Sequence, residues 1–170
     1  ALIGADILNS NYKKIQNISS KGRKGDLVTN VDLEVENRIK EYLIKKSSDI
    51  SILAEESGIL NRSNDLFWCI DPLDGTTNYS HGYPFFGTSI GLVYKDLPIL
   101  GAISVPYLKE LYWACINKGS FCNGKKLNVS NPKELSESLL VTGFAYDRFD
   151  IEDNNYAEFC WLTHKTRGVR

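Results

Sequence analysis

Phe67-Trp-Cys-Ile-Asp71-Pro-Leu-Asp74-Gly-Thr-Thr-Asn-Tyr79 combines an apolar run, a proline and two carboxylates in one short stretch. Leu66 to Ile70 has the length and aromatic content of a buried strand. Its pattern predicts an end at Asp71, because Pro72 has no N–H with which to continue a ladder. Asp74 then supplies a second carboxylate. Gly75 permits a tight turn that aims the backbone N–H groups of Gly75 and Thr76 at an anion. Two hard oxygen ligands beside amide donors suit a Mg2+ ion holding a phosphate. The plainer alternative is a solvated Asp-Pro and Asp-Gly turn.

Upstream, Ser51 to Ala54 is a short apolar strand that runs into Glu55-Glu56, which repeats the arrangement at Asp71. Carboxylates at two neighbouring strand ends could converge on one ion, although an acidic loop start has the same appearance. Before that strand lies an amphipathic helix that Thr29 or Asn30 can cap. Val31, Val35, Ile39, Tyr42 and Leu43 recur at helical spacing, with Glu34, Glu36, Arg38, Lys40 and Glu41 assigned to the wet side. Asp32 falls in the first turn, where the helix dipole alone would favour a carboxylate. Ala1 to Ile15 reads as an earlier helix with Leu2, Ala5, Ile7 and Leu8 on its apolar face. Ser19 to Asp26 reads as a basic, glycine-bearing loop with Lys21, Arg23 and Lys24.

Downstream the pattern turns β-rich. Phe85 to Tyr94, Ile99 to Val105 and Glu110 to Ile116 are strand-like and joined by short connections, which predicts an antiparallel meander. Asn123-Gly124, between Ser120–Cys122 and Lys125–Leu127, is a hairpin signal. Leu139 to Thr142 reads as a further strand and Tyr156 to Lys165 as a last helix. These elements predict an α+β fold, helices packed on one side of an antiparallel β-sheet, as a single domain over residues 1–170.

Composition limits the partners. With 170 residues, 42% of them hydrophobic and 24% charged, the chain can bury a core, and its net charge of −1 disfavours nucleic acid and anionic membranes as partners. No apolar run approaches the roughly 18 to 20 residues of a membrane helix, and no signal-peptide pattern opens the sequence, so a cytoplasmic protein is expected. Cys69, Cys115, Cys122 and Cys160 form no Cys-x-x-Cys pair and lie mostly in apolar runs, which predicts buried, reduced thiols.

Taken in order, Asp26-Leu-Val-Thr-Asn-Val-Asp32, Ala54-Glu-Glu-Ser57 and Asp71-Pro-Leu-Asp-Gly-Thr-Thr-Asn78 resemble the inositol monophosphatase family of Mg2+-dependent, lithium-sensitive phosphatases. The resemblance continues through Phe85–Leu92 and Gly119–Gly124 to Thr166–Arg170. It implies the N-terminal half of a layered α-β-α-β-α fold. Members carry a further α/β half with a Trp-Asp motif whose aspartate completes the metal site. Trp68, Trp113 and Trp161 are followed here by Cys69, Ala114 and Leu162, so the chain is expected to be the N-terminal metal- and phosphate-binding part.

The resemblance also implies roles. Glu55, Asp71 and the Leu73 carbonyl would hold one Mg2+, and Asp71 with Asp74 a second. Asp32 and Thr76 would orient a metal-activated water for in-line attack on phosphorus, with Asp32 acting as a base partner rather than as a helix cap. Glu55, Leu73, Asp74, Gly75 and Thr76 would line the phosphate subsite, and Lys21 would belong to a mobile loop over it. The implied reaction is hydrolysis of a small phosphate ester, myo-inositol 1-phosphate first, by a homodimer. Fructose 1,6-bisphosphate, 3′-phosphoadenosine 5′-phosphate and histidinol phosphate are the alternative substrates. A non-catalytic metal- or phosphate-binding scaffold is the alternative of a different class. The Asp-x-Asp-Gly-Thr signature of haloacid-dehalogenase phosphatases does not fit, because the position of its nucleophile is Pro72 and Asp71 is one residue out of register.

Overall fold

The structure, a computed structural model, describes residues 1–14, 18–20, 27–60 and 65–170. They fall into two compact units, one within residues 1–127 and one formed by residues 128–170. No helix among the described residues is long and apolar enough to cross a membrane.

The first unit opens with α1 (Leu2–Asn11), β1 (Ile18–Ser20), β2 (Leu27–Thr29), α2 (Asn30–Lys46), β3 (Ser51–Ala54), β4 (Gly58–Leu60), β5 (Leu66–Asp74) and α3 (Thr76–Ser80). The meander follows as β6 (Gly87–Tyr94), β7 (Leu97–Val105), β8 (Glu110–Cys115), β9 (Gly119–Cys122) and β10 (Lys125–Lys126). Strands β3 to β10 build one eight-stranded sheet in the order β10-β9-β8-β7-β6-β5-β3-β4. The meander is antiparallel as its short connections require. Lys95-Asp96 and Asn123-Gly124 both take positive φ, at 48° and 64° and at 47° and 78°, the two-residue turn whose twist suits a hairpin.

The sheet departs from the expected pattern at one pairing. β3 lies parallel to β5, with Ser51 opposite Phe67 and Ala54 opposite Ile70, so the sheet is mixed. The connection between them includes β4, which folds back antiparallel on the outer side of β3. Parallel pairing puts the C-terminal ends of β3 and β5 side by side, and those are the ends that carry Glu55 and Asp71.

α1 and α2 pack on the sheet around a core of Leu8, Val31, Val35, Ile39, Leu43, Ile52, Ala54, Ile70, Leu73, Tyr79, Phe86 and Ile90. Each large apolar side chain there contributes about 1.5–3 kcal/mol relative to an exposed one. The Tyr79 hydroxyl donates to the Leu8 carbonyl at 2.8 Å, which fastens α3 to α1. Three expectations for the helices need correction. Leu2 is exposed, and Gly4, Ala5 and Leu8 form the buried face of α1. Tyr42 is half exposed, because the buried stripe of α2 runs through Val31, Val35, Ile39 and Leu43 and passes beside it. Glu36, assigned to the wet side, is only 1% exposed, and Lys40 is largely covered beside it.

β5 also differs from its expected end. It runs through Pro72 to Asp74, with Asp71 opposite Ser89 and Asp74 opposite Gly87, so an extra residue is accommodated in a bulge. A bulge is where a sheet tolerates proline, because no ladder hydrogen bond is asked of its nitrogen. Ser19 and Ser20, expected in the basic loop, belong to β1, which pairs antiparallel with β2.

The second unit holds β11 (Leu139–Leu140), α4 (Tyr156–Thr163) and β12 (Gly168–Val169). β11 and β12 pair in parallel. Phe144 contacts Tyr156 and Phe159 with ring centroids 4.8 and 5.7 Å apart. All four cysteines are free thiols, and the expectation that they are buried fails: Cys160 is exposed and the other three are partly so.

Candidate active site

The ends of β3 and β5 set the site. Because Ala54 pairs with Ile70, the next residue in each case, Glu55 just past β3 and Asp71 within β5, stands at the same level, and the Glu55 N–H donates to the Ile70 carbonyl at 3.1 Å. Both carboxylates line a depression of about 640 Å³, with Leu53, Ile70, Ser89 and Pro98 among its other walls. Burial pushes the Asp71 carboxyl up to about 8, and the neighbouring charge and hydrogen bond of Glu55, then the charge of Asp74, push the same way. Two carboxyl groups in hydrogen-bond contact are stable only with a shared proton or with a cation between them.

Asp71 passes a test for a cation. Among the described residues its Oδ1 is buried and has no hydrogen-bond partner, which is costly unless something positive meets it. The donor set is all oxygen, which suits a hard divalent ion such as Mg2+. Asp74 is exposed and stands farther out. Among the described residues no three His, Cys, Asp or Glu side chains gather closely enough to hold a metal ion by themselves. The chain therefore supplies a closed pair, Glu55 and Asp71, with Asp74 adding negative field at the rim.

The second half of the site is a hydrogen-bonded link from α2 to the turn after β5. Thr29 caps α2 by accepting from the Val31 N–H at 3.1 Å and the Asp32 N–H at 3.4 Å. Asp32 Oδ2 accepts from the Thr29 N–H at 3.0 Å and from the Thr29 hydroxyl, completing a capping box. Asp32 Oδ1 points the other way, 3.1 Å from the Thr76 hydroxyl. Asp32 is thus a cap and a partner of Thr76 together, one oxygen for each task, which corrects the expectation that these roles exclude one another. Burial raises its carboxyl above the ordinary range despite hydrogen bonds from Thr29 and Thr76 that pull it down.

Thr76 Oγ1 is also 3.0 Å from the Leu73 carbonyl, so its single proton is offered to either of two acceptors. Leu73 buries its side chain in the core and leaves that carbonyl to the site. Gly75 holds φ at 84°, a left-handed conformation that favours glycine, and begins α3 at Thr76, whose first N–H groups lack intrahelical acceptors. Asp71, Leu73 and Asp74 thus lie on β5, Glu55 just after β3, Gly75 and Thr76 at the start of α3, and Asp32 in the first turn of α2. Lys21 lies outside the described residues.

A profile of the inositol monophosphatase family matches residues 1–170. The chain belongs to the inositol monophosphatase family. It is 49% identical over 168 residues to an inositol-1-monophosphatase of Synechocystis, covering 98% of this chain and 58% of that protein. It is 41% identical over 146 residues to a fructose-1,6-bisphosphatase/inositol-1-monophosphatase of Aquifex aeolicus, covering 85% of this chain and 55% of the relative. The inositol monophosphatase structure from Anabaena (Nostoc) superposes with a TM-score of 0.87 at 44% identity, over all of this chain and 62% of that one. The chain spans a little over half the length of these two curated relatives.

Two supports of this family site escaped sequence reading. Thr88, fully buried in β6, donates to the Pro72 carbonyl at 2.9 Å and holds the bulge. Its signal was weak, a lone hydroxyl in an apolar strand. Glu36 is the other. It stands one turn after Asp32 on the same helix face, a spacing that could have marked it.

Proposed function

We propose that the protein is, or is part of, a Mg2+-dependent phosphomonoesterase acting on a small polyol phosphate, with myo-inositol 1-phosphate as the first candidate. The observation that carries this reading is the Glu55–Asp71 pair, with its unpartnered Asp71 Oδ1, beside the Asp32–Thr76 hydrogen bond. Glu55, Asp71 and the Leu73 carbonyl would hold one ion, and Asp74 with Asp71 a second. Bound Mg2+ supplies Lewis-acid polarisation of the phosphate and a lowered pKa for water.

The chain's own groups do the rest. Asp32 Oδ1 takes the Thr76 hydroxyl proton as acceptor, which leaves the oxygen lone pairs of Thr76 able to accept from a water and orient it. The N–H groups at Gly75 and Thr76 offer donors to phosphate oxygens. Burial of Asp32 keeps its hydrogen bonds short of competition from solvent. Lys21, in the sequence that precedes β2, belongs to this reading as a cationic group. A homodimer and a cytoplasmic location belong to it too, and light scattering on the intact protein checks the former.

The bifunctional name of the Aquifex relative favours fructose 1,6-bisphosphate as the second substrate. Phosphate release from both esters, with and without Mg2+, tests the reading on the intact protein. Metal-dependent release from myo-inositol 1-phosphate is expected. No metal-dependent turnover on any polyol or sugar phosphate would leave a non-catalytic scaffold as the better description.

A further inference from the structure

Glu36 is a carboxylate that the proposed chemistry does not use, yet α2 buries it to 1% exposure. A buried charge is retained only where its partners compensate the lost hydration. The partners of Glu36 are all near one turn. Oε2 accepts from the Glu56 N–H at 2.8 Å. Oε1 pairs with Lys40 Nζ at 3.1 Å, and Lys40 reaches on to Ser57 Oγ at 2.9 Å. Ser57 in turn hydrogen-bonds to Glu36. These contacts close a small network over Glu55-Glu56-Ser57, the turn between β3 and β4.

We infer that Glu36 is a positioning residue for the metal ligand Glu55. The inference rests on the metal reading given above. Its physical basis is the helix repeat. Asp32 and Glu36 are one turn apart on a single face of α2. Asp32 holds the turn after β5 through Thr76, and Glu36 holds the turn after β3 through the Glu56 N–H. One rigid helix face therefore sets the spacing between the two strand ends from which Glu55 and Asp71 project. Glu55 itself is exposed, and its neighbour's backbone N–H is the point at which α2 grips the turn.

Mg2+ titration calorimetry on the intact protein, with melting temperatures in EDTA, tests this in wild type, Glu36→Gln and Ser57→Ala. Glu36→Gln is expected to weaken Mg2+ binding about tenfold or more, the usual effect of losing a group that orients a ligand. Ser57→Ala, at an exposed position, is expected to weaken it about threefold with the melting temperature unchanged. A lower melting temperature for Glu36→Gln with wild-type Mg2+ affinity would make Glu36 a purely structural group and overturn the inference. If Glu36→Gln does not fold, Ser57→Ala decides, and wild-type affinity there overturns it. Wild-type protein that binds no Mg2+ overturns the metal reading as well, whereas binding indifferent to both substitutions overturns this inference alone.

Discussion

The turns that leave β3 and β5 face each other, carry the same chemistry and are held by different means. The end of β5 and the turn after it are fixed mostly by backbone: a bulge at Pro72, a buried Leu73, a hydrogen bond from Thr88 to the Pro72 carbonyl, and Gly75 at positive φ. The turn after β3 is short and largely exposed, and a carboxylate and an ammonium from α2 grip it. One carboxylate therefore stands on a frame that packing over-determines, the other on a few charge-assisted contacts. A site that binds a cation can use both, because the ion itself draws the looser ligand in.

Substitutions separate the two sides. The largest effect is expected from Asp74→Asn in the intact protein, where the proposed activity should fall roughly a thousandfold or more with the fold retained, since several kcal/mol of charge stabilisation depend on metal ligands. Phosphate-release kinetics together with a melting curve check it, and retained activity would remove Asp74 from the metal site. Thr88→Val should come next. It keeps the shape but leaves the buried Pro72 carbonyl without its donor, a destabilisation of about 1–3 kcal/mol in urea unfolding.

A pH effect on the metal-free protein should be smaller but diagnostic. The Asp71 carboxyl is raised from 3.8 to about 8 in the fold, so the folded chain holds an extra proton between those values. That contribution is complete below pH 4 and is lost as pH rises toward 8. Melting temperatures in EDTA should therefore fall across this range, and a rising trend would contradict the paired carboxyls. Last and least, Arg38→Ala on the wet side of α2 removes an exposed pair with Glu41 at 3.3 Å and should change stability by no more than about 0.5 kcal/mol.

Much of this architecture is legible in the sequence because local rules carry it. Asn123-Gly124 names its own turn, Thr29 and Asp32 stand at capping-box spacing, and Gly75 marks the left-handed turn before α3. What the sequence could not state is pairing between distant segments. Nothing in Ser51–Ala54 says that its partner is β5 or that the two run parallel, yet that choice brings Glu55 to Asp71. Glu36 reads as a solvent-facing residue because a helical wheel counts polarity and cannot see a neighbouring turn bringing its own donors. Pro72 reads as a stop in the sequence because a bulge depends on the neighbouring strand as well as on the residue itself.

The parallel pairing of β3 with β5 also bears on the order in which the chain can fold. The meander from β6 to β9 joins neighbours in sequence and can form hairpin by hairpin, whereas β3 and β5 meet only after the chain between them has looped back. Closing that loop carries an entropic cost before any contact offsets it. Glu55 and Asp71 become neighbours only at that step. The Glu55–Asp71 pair therefore forms only when β3 and β5 meet, and a divalent ion held between the two carboxylates would report that this pairing is in place.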